Sequence, residues 1–155
     1  MTVRSTTALV FAATFALSAL PAHADPLSLR GGAYEITSRL ELPHLERWGI
    51  DKTTRICLPD IALDGTIPIP VLSTNNPFAK CAAEHVSQEN ALLQYDITCP
   101  ERGSARAHAS YHLAPDTFTG HIAMVMGAKN MTMMEIQHAR RLGDCDSTGR
   151  EAAVR

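Results

Sequence analysis

The chain has 155 residues, 45% of them hydrophobic and 19% charged, and its 14 basic and 16 acidic side chains give a formal net charge of −2. That charge excludes the basic surface with which proteins attract nucleic acids or anionic membranes. Beyond the N-terminus no apolar run is long enough to span a bilayer, so we expect neither a nucleic-acid partner nor a membrane span in the mature protein.

The first 24 residues have the features of an export signal. Arg4 supplies the positive start, residues 8–20 form an uncharged apolar run, and Ala22-His23-Ala24 is a small-x-small cleavage motif. We therefore predict a cleaved signal peptide over 1–24 and a single β domain over 25–155, located in the periplasm or secreted. Cleavage would remove Arg4 and no acid, which changes the formal net charge from −2 to −3.

Seven segments are predicted to be β-strands, because apolar and polar side chains alternate along most of them with a period of two. The predicted strands are 32–42, 52–58, 82–88, 91–99, 105–113, 117–126 and 132–142. Short turns between successive strands indicate antiparallel pairing. The expected fold is an all-β antiparallel meander of six or seven strands, curled into a barrel or half-barrel.

The turns predict which residues lie opposite one another. A tight turn at Pro115-Asp116 and a loop over 100–104 bring apolar residues opposite apolar residues at every step, and a slip by one residue would destroy this match. The predicted pairs are Leu113–Phe118, Tyr111–Gly120, Ala109–Ile122, Ala107–Met124, Cys99–Ala105, Ile97–Ala107 and Tyr95–Ala109.

The last hairpin has two possible registers. A turn over 127–131 places Ile136 opposite Ile122 and Met134 opposite Met124, which satisfies the core, and this is the register we expect. A turn over 127–130 would instead set Met126 against Met131 and Met124 against Met133.

A long irregular segment runs from Pro59 to Pro77, where Pro, Gly and Asn interrupt any regular ladder. Its apolar residues indicate that it packs over one end of the sheet. Long loops in small domains often have a functional role.

All four cysteines follow the predicted cleavage site, and an even count in an oxidising compartment indicates two disulfides. In a meander Cys99 and Cys145 lie at opposite ends of strands that are roughly 30 Å long, whereas a disulfide needs Cα atoms within about 7 Å. We therefore expect the pairs Cys81–Cys99 and Cys57–Cys145. A three-residue turn at Asn90 puts Cys81 and Cys99 on one face, and a two-residue turn puts them on opposite faces.

Several short motifs resemble a known family. They are Gly32-Ala33-Tyr34-Glu35-Ile36-Thr37 after the signal peptide, cysteines at positions 57, 81 and 99, a Met-rich penultimate hairpin, and a closing Arg141-Leu142-Gly143-Asp144-Cys145. Over nearly the whole mature chain these features are similar to the bacterial exported proteins catalogued as domain of unknown function 3617, which more often have Trp at the position of Tyr34. The resemblance implies a single periplasmic or secreted domain and transfers no activity.

The interior of the predicted barrel is the first candidate binding site. This interior either packs solidly or holds a small apolar ligand, and the many alanines in the strand over 105–113 leave room for a ligand. The residues expected to line this site are Tyr34, Tyr95, Tyr111, Phe118 and Ile122. The leading hypothesis is a non-enzymatic envelope protein that binds a small apolar molecule or a partner protein, without a cofactor.

The methionines suggest an alternative function. All five that follow the predicted signal peptide lie in one hairpin, and thioethers select Cu(I). In the second register, Met124, Met126, Met131 and Met133 would form a four-sulfur patch. Methionine more often fills irregular gaps in a core, so packing is the expected role.

Polar residues on the opposite face offer a weaker candidate. His108, His112 and His121 cannot all hold one metal ion, because residues four apart on a strand are about 13 Å apart. His121 could share a metal ion with at most one of the other two. Asp96, His108 and Ser110 are the residue types of an acyl-transfer triad. An open sheet face supplies neither shielding nor an oxyanion hole, so we expect a cross-strand charge pair and no hydrolase activity.

Overall fold

The computed structural model describes residues 29–61, 66–73, 78, 80–100, 105–127 and 131–146. The predicted signal peptide over 1–24 lies outside these residues. Within the described part of the chain no helix is long and apolar enough to cross a membrane.

All seven predicted strands are present and form one antiparallel sheet. Their bounds are β1 Gly32–Glu41, β2 Asp51–Leu58, β3 Ala82–Glu89, β4 Leu92–Thr98, β5 Arg106–Ala114, β6 Thr117–Met126 and β7 Met131–Gly143. The strand order is β2-β1-β7-β6-β5-β4-β3, so the sheet is open and β2 and β3 are its edges. The expected half-barrel is compatible with this arrangement, whereas the described strands do not close into a barrel. A single 3₁₀ turn, Glu46–Trp48, connects β1 to β2.

The predicted registers of the central strands are confirmed. Leu113 lies opposite Phe118 and Tyr111 opposite Gly120 across β5 and β6, and Tyr95 lies opposite Ala109 across β4 and β5. A Cβ atom on Gly120 would lie 2.3 Å from Cδ1 of Tyr111, so only glycine lets this ring cover the neighbouring backbone. The small residue therefore makes room for the large one opposite, as the sequence predicted.

The irregular segment that follows β2 packs across the inner face of the sheet. We call residues 66–73 of this segment the strap. Ile69 in the strap and Phe78 after it are fully buried in the same cluster as Tyr95 and Tyr111. The phenol of Tyr95 donates a hydrogen bond of 2.6 Å to the carbonyl oxygen of Ile69, which joins the strap to the sheet.

The expected register of the last hairpin is wrong. Met126 lies opposite Met131 and Met124 opposite Met133, so Ile122 faces Glu135 and not Ile136. The odd-numbered residues of β7 consequently point inward, and Glu135 and Gln137 are 1% and 0% exposed. Polarity patterning failed here because both polar side chains find partners in the interior.

The partners of Glu135 and Gln137 lie in the strap. The carboxylate of Glu135 accepts hydrogen bonds from the backbone N–H groups of Leu72, at 2.8 Å, and Ser73, at 2.7 Å. The side-chain amide of Gln137 donates to Glu135 at 2.6 Å and to the carbonyl oxygen of Pro70 at 3.0 Å. A buried carboxylate is tolerated when hydrogen bonds replace its hydration, so this polar pair holds the strap against the sheet.

Both expected disulfides are present. Cys81 is bonded to Cys99 and Cys57 to Cys145, with Cα atoms 4.6 and 5.9 Å apart. Glu89 of β3 pairs with Leu92 of β4, so the turn between these strands has two residues, Asn90 and Ala91, and Asn90 has a φ of 54°. A register shift between Glu84 and Ser87 adds one residue to β3, which compensates for the two-residue turn and brings Cys81 level with Cys99.

Candidate functional site

The aromatic residues predicted to line an interior binding site pack against one another. The rings of Tyr95 and Tyr111 are stacked with centroids 6.0 Å apart, and those of Tyr34 and Tyr111 lie 5.9 and 5.6 Å from the ring of Phe118. Ile122 is fully buried in the same cluster. Ile69 and Phe78 also enter this core, and none of the five predicted residues lines the groove or the smaller cavity that the described residues form, with volumes of about 680 and 130 Å³.

Burial sets the chemistry of the interior phenols. It raises the pKa of Tyr95 and of Tyr111 well above the ordinary value of 10.0, because the charged form would lose its hydration. Both phenols therefore stay protonated and act as hydrogen-bond donors, Tyr95 to the strap and Tyr111 to Oε1 of Gln137 at 3.4 Å.

The four methionines of the alternative hypothesis are neighbours in pairs across β6 and β7. Met124 is buried, Met126 and Met133 are partly buried against the core, and Met131 is 54% exposed. The fifth methionine of this hairpin, Met134, lies on the other face of the sheet. The sulfur-bearing side chains thus run from the core toward the end of the sheet.

The polar face brings Asp96 and His108 together, as the register predicted. Nδ1 of His108 lies 2.8 Å from Oδ1 of Asp96. Ser110 lies opposite His121 across β5 and β6, and among the described residues it makes no hydrogen bond to either histidine. No group of three His, Cys, Asp or Glu side chains in the described ranges is arranged to hold a metal ion.

A second histidine reaches Asp96 from the other side, and sequence analysis did not find it. His85 lies at the bulge of β3 with a φ of 52°, and its Nδ1 is 3.1 Å from Oδ2 of Asp96. The hydrogen bond with His108, and then that with His85, lowers the pKa of Asp96 below its ordinary value of 3.8. Bulges commonly redirect a side chain beside a functional site, and left-handed backbone at a non-glycine residue is uncommon.

The side chains of His85, Asp96 and His108 lie at one side of a groove with a volume of about 680 Å³. The groove crosses the sheet where β4 and β6 end and β5 and β7 begin. Its volume falls within the range of roughly 300 to 1,000 Å³ that is typical of small-molecule sites. By the order of the strands, Ala123 and Val125 of β6 and Met134 of β7 form its apolar centre, and Leu42 and Pro43 line it just after β1.

Charged side chains surround this apolar centre. Glu41 and Glu46 lie at the β1 side, and Glu84, Asp96 and Arg106 lie at the β3 to β5 side. Glu84 accepts a hydrogen bond of 3.0 Å from the hydroxyl of Thr98. The groove therefore combines an apolar centre with a polar border of fixed hydrogen bonds, the composition of sites that orient small apolar molecules.

The family of the chain follows from its sequence match. A family model described as protein of unknown function DUF3617 matches residues 29–145. The chain belongs to this family. The matched range begins just before β1 and ends at Cys145, so it includes all seven strands and both disulfides of the DUF3617 domain. Comparisons with curated proteins and with solved structures gave no match.

In this DUF3617 domain, the groove includes residues that strand alternation had marked only as solvent-facing. Ala123 and Val125 look like ordinary exposed positions when β6 is considered separately, whereas Met134 was expected in the core opposite Met124 and instead pairs with Ala123. The three positions form one surface only because β6 and β7 pair in the register that the structure adopts. The sequence signal that could have identified the groove was the presence of apolar residues on the polar face near the turn between β6 and β7.

Proposed function

We propose that the chain is an exported, non-enzymatic β protein of the periplasm or the secreted fraction, and that it binds a small apolar ligand in the groove. The observation that carries this proposal is the groove of about 680 Å³ with its apolar centre. The interior site expected from the sequence is filled by the aromatic cluster and by Ile69 and Phe78, so the ligand site is assigned to the other face of the sheet.

Two further observations support the export part of the proposal. The N-terminal residues have the pattern of a cleaved leader. The two disulfides fit an oxidising compartment outside the cytoplasm, where such bonds persist.

Filling the groove is expected to block binding. Ala123 is an exposed residue of β6 at the groove centre, so Ala123→Trp would place an indole ring in the space proposed for the ligand. We expect the affinity for the neutral fluorescent probe N-phenyl-1-naphthylamine to fall about tenfold or more, which corresponds to about 1.4 kcal/mol. Fluorescence titration measures this change.

Thr119→Trp is the matched control, because Thr119 is exposed on the same face of β6 and lies outside the groove. This variant should bind the probe like the wild type. Native mass spectrometry of protein isolated from the periplasm should also detect a retained lipid-like mass. A wild-type protein that binds no probe, or an equal loss in both tryptophan variants, would refute the proposed site.

Binding of Cu(I) is a second candidate, which the observed register of the last hairpin favours. That register pairs Met126 with Met131 and Met124 with Met133. We expect the protein to compete for Cu(I) with the chelator bicinchoninic acid, and replacement of these four methionines by leucine to abolish the competition. Leucine approximately conserves side-chain volume, so the fold should be retained.

Met134→Leu is the control for the copper experiment. Met134 belongs to the same hairpin but lies on the other face of the sheet, since it pairs with Ala123 and not with a methionine. This variant should compete like the wild type. If the wild-type protein removes no Cu(I) from the chelator, the copper proposal is wrong.

A further inference from the structure

Strand β2 forms one edge of the sheet and has an uninterrupted backbone ladder. Its pairing with β1 runs without a register shift from Gly32–Leu58 to Arg39–Asp51. In the ranges that the structure describes, no strand pairs with its other side. The opposite edge strand, β3, is instead interrupted by the bulge at His85. Bulges protect an edge from pairing with other chains, whereas a regular edge strand is a template for another strand.

Exposed apolar side chains lie directly before β2. Ile50 is 84% exposed and Trp48 is 67% exposed. Single exposed apolar residues are common, but two of this size next to a regular strand edge are typical of an interaction surface. Ile50 continues the alternation of β2 on the inward-facing side, which also carries Ile56.

We propose that β2 pairs with the β2 strand of a second copy of the chain, antiparallel and centred on Thr53. The inner face of the sheet continues across the interface only if the inward-facing residues of one β2 lie opposite the inward-facing residues of the other. In an antiparallel pair this requires the two-fold axis to pass through a residue and not between two residues. With Thr53 at the centre, Asp51 lies opposite the partner's Arg55. The two-fold symmetry of such an interface repeats this contact.

The neighbouring centres lack this charge complementarity. Centring on Lys52 would place two lysines opposite each other. Centring on Thr54 would place Arg55 opposite the partner's Thr53 and would leave Asp51 without a basic neighbour. Opposite charges across paired strands are favourable and like charges are unfavourable, so the charge pattern selects Thr53 as the centre.

The side chains that would form these contacts are accessible. The side chains of Asp51 and Arg55 are 60% and 57% exposed, although each already lies near one residue of β1, Arg39 at 3.6 Å and Glu35 at 3.1 Å. The same register sets Ile50 opposite the partner's Ile56, so dimer formation would cover Ile50. A second copy therefore complements both the charges and the apolar residues of this edge.

Sedimentation velocity of protein isolated from the periplasm, over a range of concentrations, tests the proposed interface. The wild-type mass should rise from monomer to dimer with concentration. Asp51→Arg and Arg55→Asp should each weaken self-association about tenfold or more, because both symmetric contacts become repulsive. An equimolar mixture of the two variants should form a heterodimer, since acid again faces base at both positions.

Further variants separate loss of the interface from loss of the fold. The double variant Asp51→Arg/Arg55→Asp should dimerise like the wild type, and Ile50→Glu should be monomeric with an unchanged melting temperature. Glu89→Arg on the other edge strand makes the same charge change as Asp51→Arg and should leave the dimer intact. A wild-type protein that stays monomeric, or a mixture that associates no better than its components, would overturn the proposal.

Discussion

Replacement of Glu135 by alanine is expected to lower the free energy of unfolding by about 3 kcal/mol. The carboxylate is 1% exposed and accepts hydrogen bonds from two backbone N–H groups of the strap and from the amide of Gln137. Removal of the acceptor leaves the two partly buried N–H groups of the strap without this partner, and the amide of Gln137 keeps only its hydrogen bond to Pro70. A donor that is removed from water and has no partner costs its desolvation energy. Urea unfolding with the disulfides intact measures the loss.

Two variants test whether this loss comes from the strap contact. Glu89→Ala removes an exposed glutamate from β3 and should change stability by less than about 0.5 kcal/mol. Glu135→Gln keeps one acceptor oxygen and nearly the same volume, so it should lose less than the alanine variant. In Glu135→Ala, the amide protons of Leu72 and Ser73 should exchange faster with solvent. A loss below about 1 kcal/mol would show that the strap does not depend on this carboxylate.

The two disulfides should differ in the stability that they contribute. Cys57–Cys145 closes a segment with a sequence separation of 88, and Cys81–Cys99 closes one of 18. If a disulfide acts by restricting the unfolded chain, Cys57→Ser/Cys145→Ser should lose about 4.6 kcal/mol and Cys81→Ser/Cys99→Ser about 3.2 kcal/mol. Urea unfolding of both double variants measures the difference.

The wild-type protein under reducing conditions is the reference for this pair of variants, since it should be less stable than either of them. Mass spectrometry with a thiol-reactive reagent confirms that each variant retains its other disulfide. Equal losses, or a larger loss for the shorter segment, would contradict the entropic account for this fold.

The strap links these energetic predictions to the proposed function. Because Ile69 of the strap, together with Phe78, is buried among the aromatic residues of the inner face, the space that the sequence left for an interior ligand is occupied by the chain itself. The contacts of Glu135 and Gln137 with the strap maintain this packing. The groove on the other face is then the larger of the two cavities described, at about 680 Å³ against about 130 Å³.

The sequence by itself determined the seven strands, the inward faces of the central ones and the disulfide pairing. Alternation with a period of two is a local property, and a short turn sets the register of the strands that it joins. For example, volume and polarity both match at Tyr111–Gly120 in only one register. The cysteine pairs then followed from the ends of the sheet at which those strands finish.

Only the tertiary structure decided the register of β7, the position of His85 and the location of the groove. Glu135 points inward because its hydrogen-bond donors, Leu72 and Ser73, lie 63 and 62 residues away in the sequence. His85 reaches Asp96 because the bulge in β3 satisfies the turn and the disulfide together. Such choices depend on contacts between distant segments, and the hydrophobic alternation of one strand does not contain that information.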